Sequence, residues 1–156
     1  MPSLDPVDES FFASAPSRYS HTWSIARPAS EVWAKLTGDN PLHWCRSLST
    51  GWTSPRPFLV GTTRKAKVLG GVVALDEHFF IWEDGRRCAF YVTKANVPLF
   101  RSFAEDYVIE PDGDGRCRFT WTIALAPTAL GKLGGPVTKL LFGRFFADTG
   151  KYFDAT

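Results

Sequence analysis

Between residues 19 and 26 the run YSHTWSIA alternates apolar with polar positions and stops at Arg27-Pro28. That is the period of a strand. Pro28 suits the first position of a helix, and Val32, Trp33 and Leu36 then recur at helical spacing, which predicts a short helix through Leu36. The stretch 37–41 interrupts it, and Leu42-His43-Trp44 reads as a further short turn. Alternation resumes in five runs, 62–69, 72–82, 87–94, 100–110 and 116–126. Gly70-Gly71 and Asp84-Gly85 separate the first three, and both dipeptides suit hairpins that require positive φ. A longer turn over 111–115 precedes the last run. After Pro127 the period changes. Val137, Leu140, Leu141, Phe145, Tyr152 and Phe153 recur at three and four, the pattern of one long amphipathic helix, with Pro136 at its start or at a kink. An antiparallel sheet with one apolar face needs cover, and this helix is the only long candidate. The prediction is an α+β domain over 18–156, preceded by a flexible arm over 1–17 that is rich in proline, acids and serine. Phe11 and Phe12 give that arm two groups with which to dock.

Hairpin register decides which side chains face inward. A turn at Gly70-Gly71 sets Val68 opposite Val73, Ala66 opposite Leu75 and Arg64 opposite Glu77. The other face then pairs Lys65 with Asp76 and is polar, so the first face belongs inside. Carrying parity through Asp84-Gly85 places Phe79 opposite Phe90, Glu77 opposite Val92 and Ile81 opposite Cys88. In the last hairpin, pairing Glu110 with Arg116 places Tyr107 opposite Phe119, Glu105 opposite Trp121 and Phe103 opposite Ile123. The interior so derived holds aromatic walls together with Arg64, Glu77, Glu105 and Tyr107. Buried charges without partners are costly. Two accounts fit: a structural Arg64/Glu77 pair with Glu105 at a wet rim, or a partly hydrated cavity whose polar groups orient a ligand. The same parity gathers His78, Phe80, Trp82 and Tyr91 on the outer face. Such a patch suits a homodimer or partner contact, or cover by the arm.

Composition narrows the classes. At 156 residues the chain is the size of one domain, large enough to fold without metal or disulfide. A net charge of +2 offers no concentrated basic stripe for nucleic acid. No apolar run approaches the ~18 residues of a membrane span, so stable membrane insertion is not expected. Residues 1–17 lack the basic start and apolar run of a signal peptide. Three cysteines without CxxC spacing read as reduced thiols of a cytoplasmic protein. His21, His43 and His78 show no metal-ligand spacing, and no cofactor is implied. His43-Trp44-Cys45 sets a thiol beside an imidazole in sequence, but a catalytic pair needs spatial geometry. Thirteen Phe, six Trp and four Tyr supply either a packed core or a ligand cavity.

The opening HTWSIARPASEVWAKLTGD, with Pro28, Val32 and Trp33, resembles the strand-helix start of the START-like (SRPBCC) superfamily, the polyketide cyclase/dehydrase and lipid-transport group. Trp44, Gly61 before the strand over 62–69, and PLFRSFAEDYVIEP extend the resemblance across about residues 19–154. It implies a helix-grip fold: a curved antiparallel sheet of about six to seven strands wrapped around a long C-terminal helix, with a cavity between them. It brings no catalytic set onto this sequence. The expected function is binding or transport of a small hydrophobic ligand, lipid-like, aromatic or polyketide-like. Its expected lining is Trp44, Arg64, Glu77, Phe79, Phe90, Phe103, Glu105, Tyr107 and Trp121. The alternatives are a metal-free cyclase, dehydratase or aromatase in which Glu105, with Tyr107, handles protons, and an interaction module using the outer aromatic patch.

Overall fold

The computed structural model describes residues 1–155; the last residue of the expected domain, Thr156, lies outside them. Seven antiparallel strands form one sheet: β1 (Ser17–Ile25), β2 (Leu48–Trp52), β3 (Thr63–Val68), β4 (Val73–Glu83), β5 (Arg87–Ala95), β6 (Phe100–Pro111) and β7 (Cys117–Pro127). Their order across the sheet is β1-β7-β6-β5-β4-β3-β2. Strands β1 and β2 follow one another in sequence but occupy opposite edges. The helix between them, α2 (Ala29–Thr37), therefore carries the chain from one edge to the other. Short α3 (Ala129–Leu133) and long α4 (Gly135–Tyr152) close the chain. Gly134 separates them, and Pro136 sits in the first turn of α4, where its missing N–H costs nothing. The fold is the helix grip.

Three features of the sheet depart from the sequence reading. The first is β2. It is a five-residue edge strand paired with β3, and it had no counterpart among the alternating runs. The second is a β-bulge in β4. Phe79 pairs with Phe90 as expected, but Ile81 pairs with Ala89 and Trp82 with Cys88. The extra residue, Phe80, reverses parity beyond it. Trp82 consequently turns inward and meets Trp33, Trp52, Phe58 and Phe79 edge-on, while Ile81 turns outward. The outer patch is thus His78, Phe80, Ile81 and Tyr91, without Trp82. The third is the last hairpin, where Pro111 pairs with Cys117 and Glu110 with Arg118. This slides the register by two: Tyr107 opposes Trp121, Glu105 opposes Ile123 and Phe103 opposes Leu125. An even slip leaves every side chain on its expected face.

The N-terminal segment first runs between β5 and β6, beyond the stretch where those two strands pair, and puts Leu4 into the main core; from Val7 it lies against the outside of the sheet. The Leu4 amide donates to the Thr93 carbonyl and the Asp5 amide to the Arg101 carbonyl, at 2.9 and 2.8 Å. One turn of helix, α1 (Phe11–Ser14), then buries Phe12 against Phe80. Arg87, paired bidentately with Asp106 through Nε and Nη2, reaches Glu9 with Nη1 at 2.8 Å. A second apolar cluster, outside the sheet, joins Phe12 to Ala89, Ala104 and Ala124.

The main core lies on the concave face under α4. Leu141, Phe142 and Phe145 point to the sheet, whereas Val137 and Leu140, expected on that face, are largely exposed. Trp44 anchors the C-terminal half of α4. Its indole N–H donates to the Thr149 hydroxyl at 2.9 Å, and its ring stacks on Tyr152. At the other end α3 is latched to the β5–β6 loop. The Thr128 amide donates to the Leu99 carbonyl and its hydroxyl to the Pro98 carbonyl, at 2.9 and 2.8 Å. Gly131 crosses so close to that loop that an added Cβ would fall 1.9 Å from the Leu99 oxygen.

Candidate functional site

A cavity of about 120 Å³ separates α4 from the concave face of the sheet. One water needs only ~10–15 Å³ on this measure. Ala66 and Val68 from β3, Val73 and Leu75 from β4, and Phe103 from β6 form the sheet side. Leu141, Phe142 and Phe145 form the helix side, and Leu42, Leu48 and Thr50 close one flank. The mouth lies between the β3–β4 turn, the β5–β6 loop and the start of α4, where Leu69, Leu99 and Val137 border it.

The inner end is polar. Alternation on β3, β4 and β6 brings Arg64, Glu77, Glu105 and Tyr107 to one spot, all buried. Arg64 Nε donates to Glu77 Oε2 across the β3–β4 pair, and Arg64 Nη2 donates to the Tyr107 hydroxyl at 3.3 Å. That hydroxyl donates to Glu105 Oε1 at 3.0 Å, and the same oxygen accepts from Trp121 Nε1 at 2.8 Å. The guanidinium lies among the rings of Phe90, Phe79, Trp52 and Tyr107, 4.9 to 5.9 Å from their centres. Cation–π attraction adds to the ion pair in holding the charge. Arg64 Nη1 is buried and has no hydrogen-bond partner among the described residues.

Burial sets the protonation states. It works against the Arg64 charge, but the Glu77 carboxylate, Tyr107 and the hydrogen bonds from both more than offset it and hold the guanidinium above its ordinary value. Burial pushes the Glu77 carboxyl up, and Arg64 opposes that shift. Burial, reinforced by the Glu77 charge, lifts Glu105 from 4.5 to about 8, against the pull of Arg64 and the Trp121 and Tyr107 hydrogen bonds. Tyr107 is raised well above 10 by burial and the Glu105 charge. At neutral pH Glu105 thus keeps its proton. Oε1 already accepts two hydrogen bonds, so Oε2 carries it. Glu105, the least buried of the four, is the donor the inner end presents through Oε2–H, while Arg64 Nη1 is sealed away from the cavity.

Five expected lining residues, Arg64, Glu77, Phe103, Glu105 and Tyr107, do border the cavity. The other four stand behind it. Phe79 and Phe90 pack around the Arg64 guanidinium, Trp121 holds Glu105 and stacks on Phe145, and Trp44 fastens α4. Strand alternation gives the face a residue points to but not its distance from the helix, so the correction could not come from parity alone. Phe142, Thr50, Leu48 and Leu99 were missed. Phe142 was the most legible, adjoining Leu141 on a predicted helix. Cys45 is no nucleophile: its thiol lies against the Phe145 carbonyl and Thr149, burial pushes it up to about 12, and His43 is exposed.

A sequence model described as polyketide cyclase/dehydrase and lipid transport matches residues 17–151. The chain belongs to that family. An uncharacterized protein of Mycobacterium tuberculosis is 34% identical over 163 residues, covering 96% of this chain and 92% of the relative. Among solved structures, a START superfamily protein of Mycobacterium smegmatis superposes with a TM-score of 0.65 at 11% identity, over 88% of this chain and 97% of that one. The Zhui aromatase/cyclase of Streptomyces sp. R1128 gives 0.65 at 15% identity, over 85% and 88%. At such identities the superpositions concern the fold. This polyketide cyclase/dehydrase and lipid-transport family member holds a polar quartet at the end of an apolar cavity. No helix among its described residues is long and apolar enough to cross a membrane.

Proposed function

We propose that this protein reversibly binds and carries a small, mostly apolar molecule with one hydrogen-bond-accepting group. The carrying observation is the division of the cavity: aliphatic and aromatic walls along its length, and the polar group of Arg64, Glu77, Glu105 and Tyr107 at its closed end, with Glu105 Oε2–H as the donor it offers. Apolar walls supply the driving force for entry. That donor rewards a carbonyl, ester or hydroxyl oxygen and is left unpaired by a ligand lacking one. The family's lipid-transport membership supports the same reading.

The test is ligand capture. Native mass spectrometry of the purified protein is expected to show a bound small molecule, and an apolar fluorescent probe is expected to titrate at roughly one per chain. Ala66→Phe, which projects a ring from β3 into the cavity, is expected to weaken the probe at least ~tenfold while the protein stays folded. Absence of saturable binding by the wild type would refute the carrier.

One observation favours a second reading, an enzyme of cyclase or dehydratase type. Glu105 holds a proton at neutral pH beside the Tyr107 hydroxyl and the Arg64 cation, which suits a general acid acting on a ligand carbonyl. The carrier is preferred because Glu77 already neutralises Arg64, leaving less positive charge to stabilise a developing oxyanion.

A further inference from the structure

The mouth of the cavity is apolar and uncovered. Leu69 and Val137 on its border are 44% and 65% exposed. Around them, Val72 on the β3–β4 turn, Leu133 at the end of α3 and Leu140 on α4 are exposed to 67%, 81% and 60%. These are five of the nine large exposed hydrophobics among the described residues, gathered at one end of the fold. Charge is sorted there as well. The helical residues beside these side chains include Lys132, Lys139 and Arg144, and segments 66–75, 96–104 and 128–147 hold no Asp or Glu, the next acids along the chain being Asp76, Glu105 and Asp148. A chain with 18 basic and 16 acidic residues has nearly balanced charge overall, so this is a local excess. A symmetric second copy would set like charges against each other, and so does not suit this face.

We propose that the mouth docks on an anionic lipid bilayer. The aliphatic side chains enter the headgroup boundary, and the lysines and arginines around them meet lipid phosphates. The cavity opening lies in the middle of that surface, so a bound molecule passes between bilayer and cavity without crossing water. This last step rests on the carrier reading above; the docking itself does not.

The test is cosedimentation with vesicles of phosphatidylglycerol and phosphatidylcholine, compared with phosphatidylcholine alone. The wild type is expected to bind the anionic vesicles and to be released by high salt. Two double variants, Leu133→Asp with Leu140→Asp and Lys132→Glu with Lys139→Glu, are each expected to lower partitioning about tenfold or more. All four positions are exposed, and circular dichroism confirms folding. Leu59→Asp, on an equally exposed leucine at the far end of β4, is expected to leave partitioning unchanged. Docking is overturned if the wild type ignores anionic vesicles or if neither double variant matters. It is also overturned if ultracentrifugation shows a dimer that Leu133→Asp with Leu140→Asp dissociates, since the face would then join two copies. Titration of the apolar probe without vesicles reads the cavity separately. Probe binding with no vesicle binding removes docking and leaves the carrier. Vesicle binding with no probe binding supports docking and removes the transfer step together with the carrier.

Discussion

Glu105 takes two hydrogen bonds on one oxygen, from Trp121 and Tyr107, and neither donor is a cation. Burial, with the Glu77 charge beside it, outweighs these bonds and the pull of Arg64, and lifts the carboxyl to about 8. In the unfolded chain the same group ionises near ~4.3. Between these values the folded state holds a proton that the unfolded state has lost. Stability therefore falls as pH rises across the window, by up to ~1.4 kcal/mol per unit, and levels off above it. Glu105→Gln copies the protonated carboxyl. Its amide oxygen accepts the same two hydrogen bonds and its NH2 replaces the Oε2–H. The variant is expected to match the wild type near pH 4.5 and to grow relatively more stable toward pH 8, as read from urea melts at several pH values. Glu77 and Asp106 are also raised by burial and remain in both proteins, so the difference isolates Glu105. A constant difference across the window would mean that Glu105 is ionised in the folded state. The same variant separates carrier from enzyme: a carrier keeps probe affinity within about tenfold, whereas general acid catalysis loses ~10²–10⁴ in turnover.

At the scale of elements, the N-terminal segment serves both faces: residues 2–5 fill the gap between β5 and β6 with Leu4 in the main core, and Phe12 caps the outer cluster. It covers Phe80, Ile81 and Tyr91, and it buries Leu4 and Phe12 in return. Removing residues 1–16 is expected to cost about 3 kcal/mol or more from those two side chains alone, and to expose a patch that promotes association. Urea denaturation and light scattering read both effects; an equally stable, monodisperse truncation would assign the segment no structural role. The strands show what a sequence can tell of its own sheet. Glycines at 70, 71 and 85 mark turns that need positive φ, so two registers followed from them with Arg64 opposite Glu77 and Phe79 opposite Phe90. The bulge was hidden because Phe80, Ile81 and Trp82 are all apolar, and three consecutive apolar residues carry no alternation. The two-residue slip in the last hairpin was equally hidden, but harmless to the site, since Glu105 and Tyr107 kept their face. Strand β2 escaped because only Leu48 and Trp52, at its ends, are large apolar residues and Gly51 weakens the signal.

For the whole molecule, the polar quartet was legible because charged residues on an apolar face stand out, and the cavity outline was not. How far the sheet curves from α4 depends on twist summed over seven strands. No local pattern encodes that sum. The curvature decides that Phe103 borders the cavity while Phe90, on the same face, packs against Arg64. Val137 and Leu140, helical in period, fall outside the buried face of α4, which runs through Phe142, Phe145 and Thr149.

The crossing of Gly131 over the Leu99 carbonyl has a kinetic meaning. Both partners are backbone, so neither can turn aside for a methyl group at 1.9 Å. Gly131→Ala must prise α3 off the loop over residues 98–99, loosening one jamb of the only doorway described above. A molecule leaving the cavity waits for that doorway to part, and the wait is its residence time. The variant is expected to shorten that time about tenfold, with entry quickened as well, so that affinity moves much less than either rate. Stopped-flow displacement of the apolar probe reads both rates. An unchanged dissociation rate would place the slow step of exchange elsewhere in the fold.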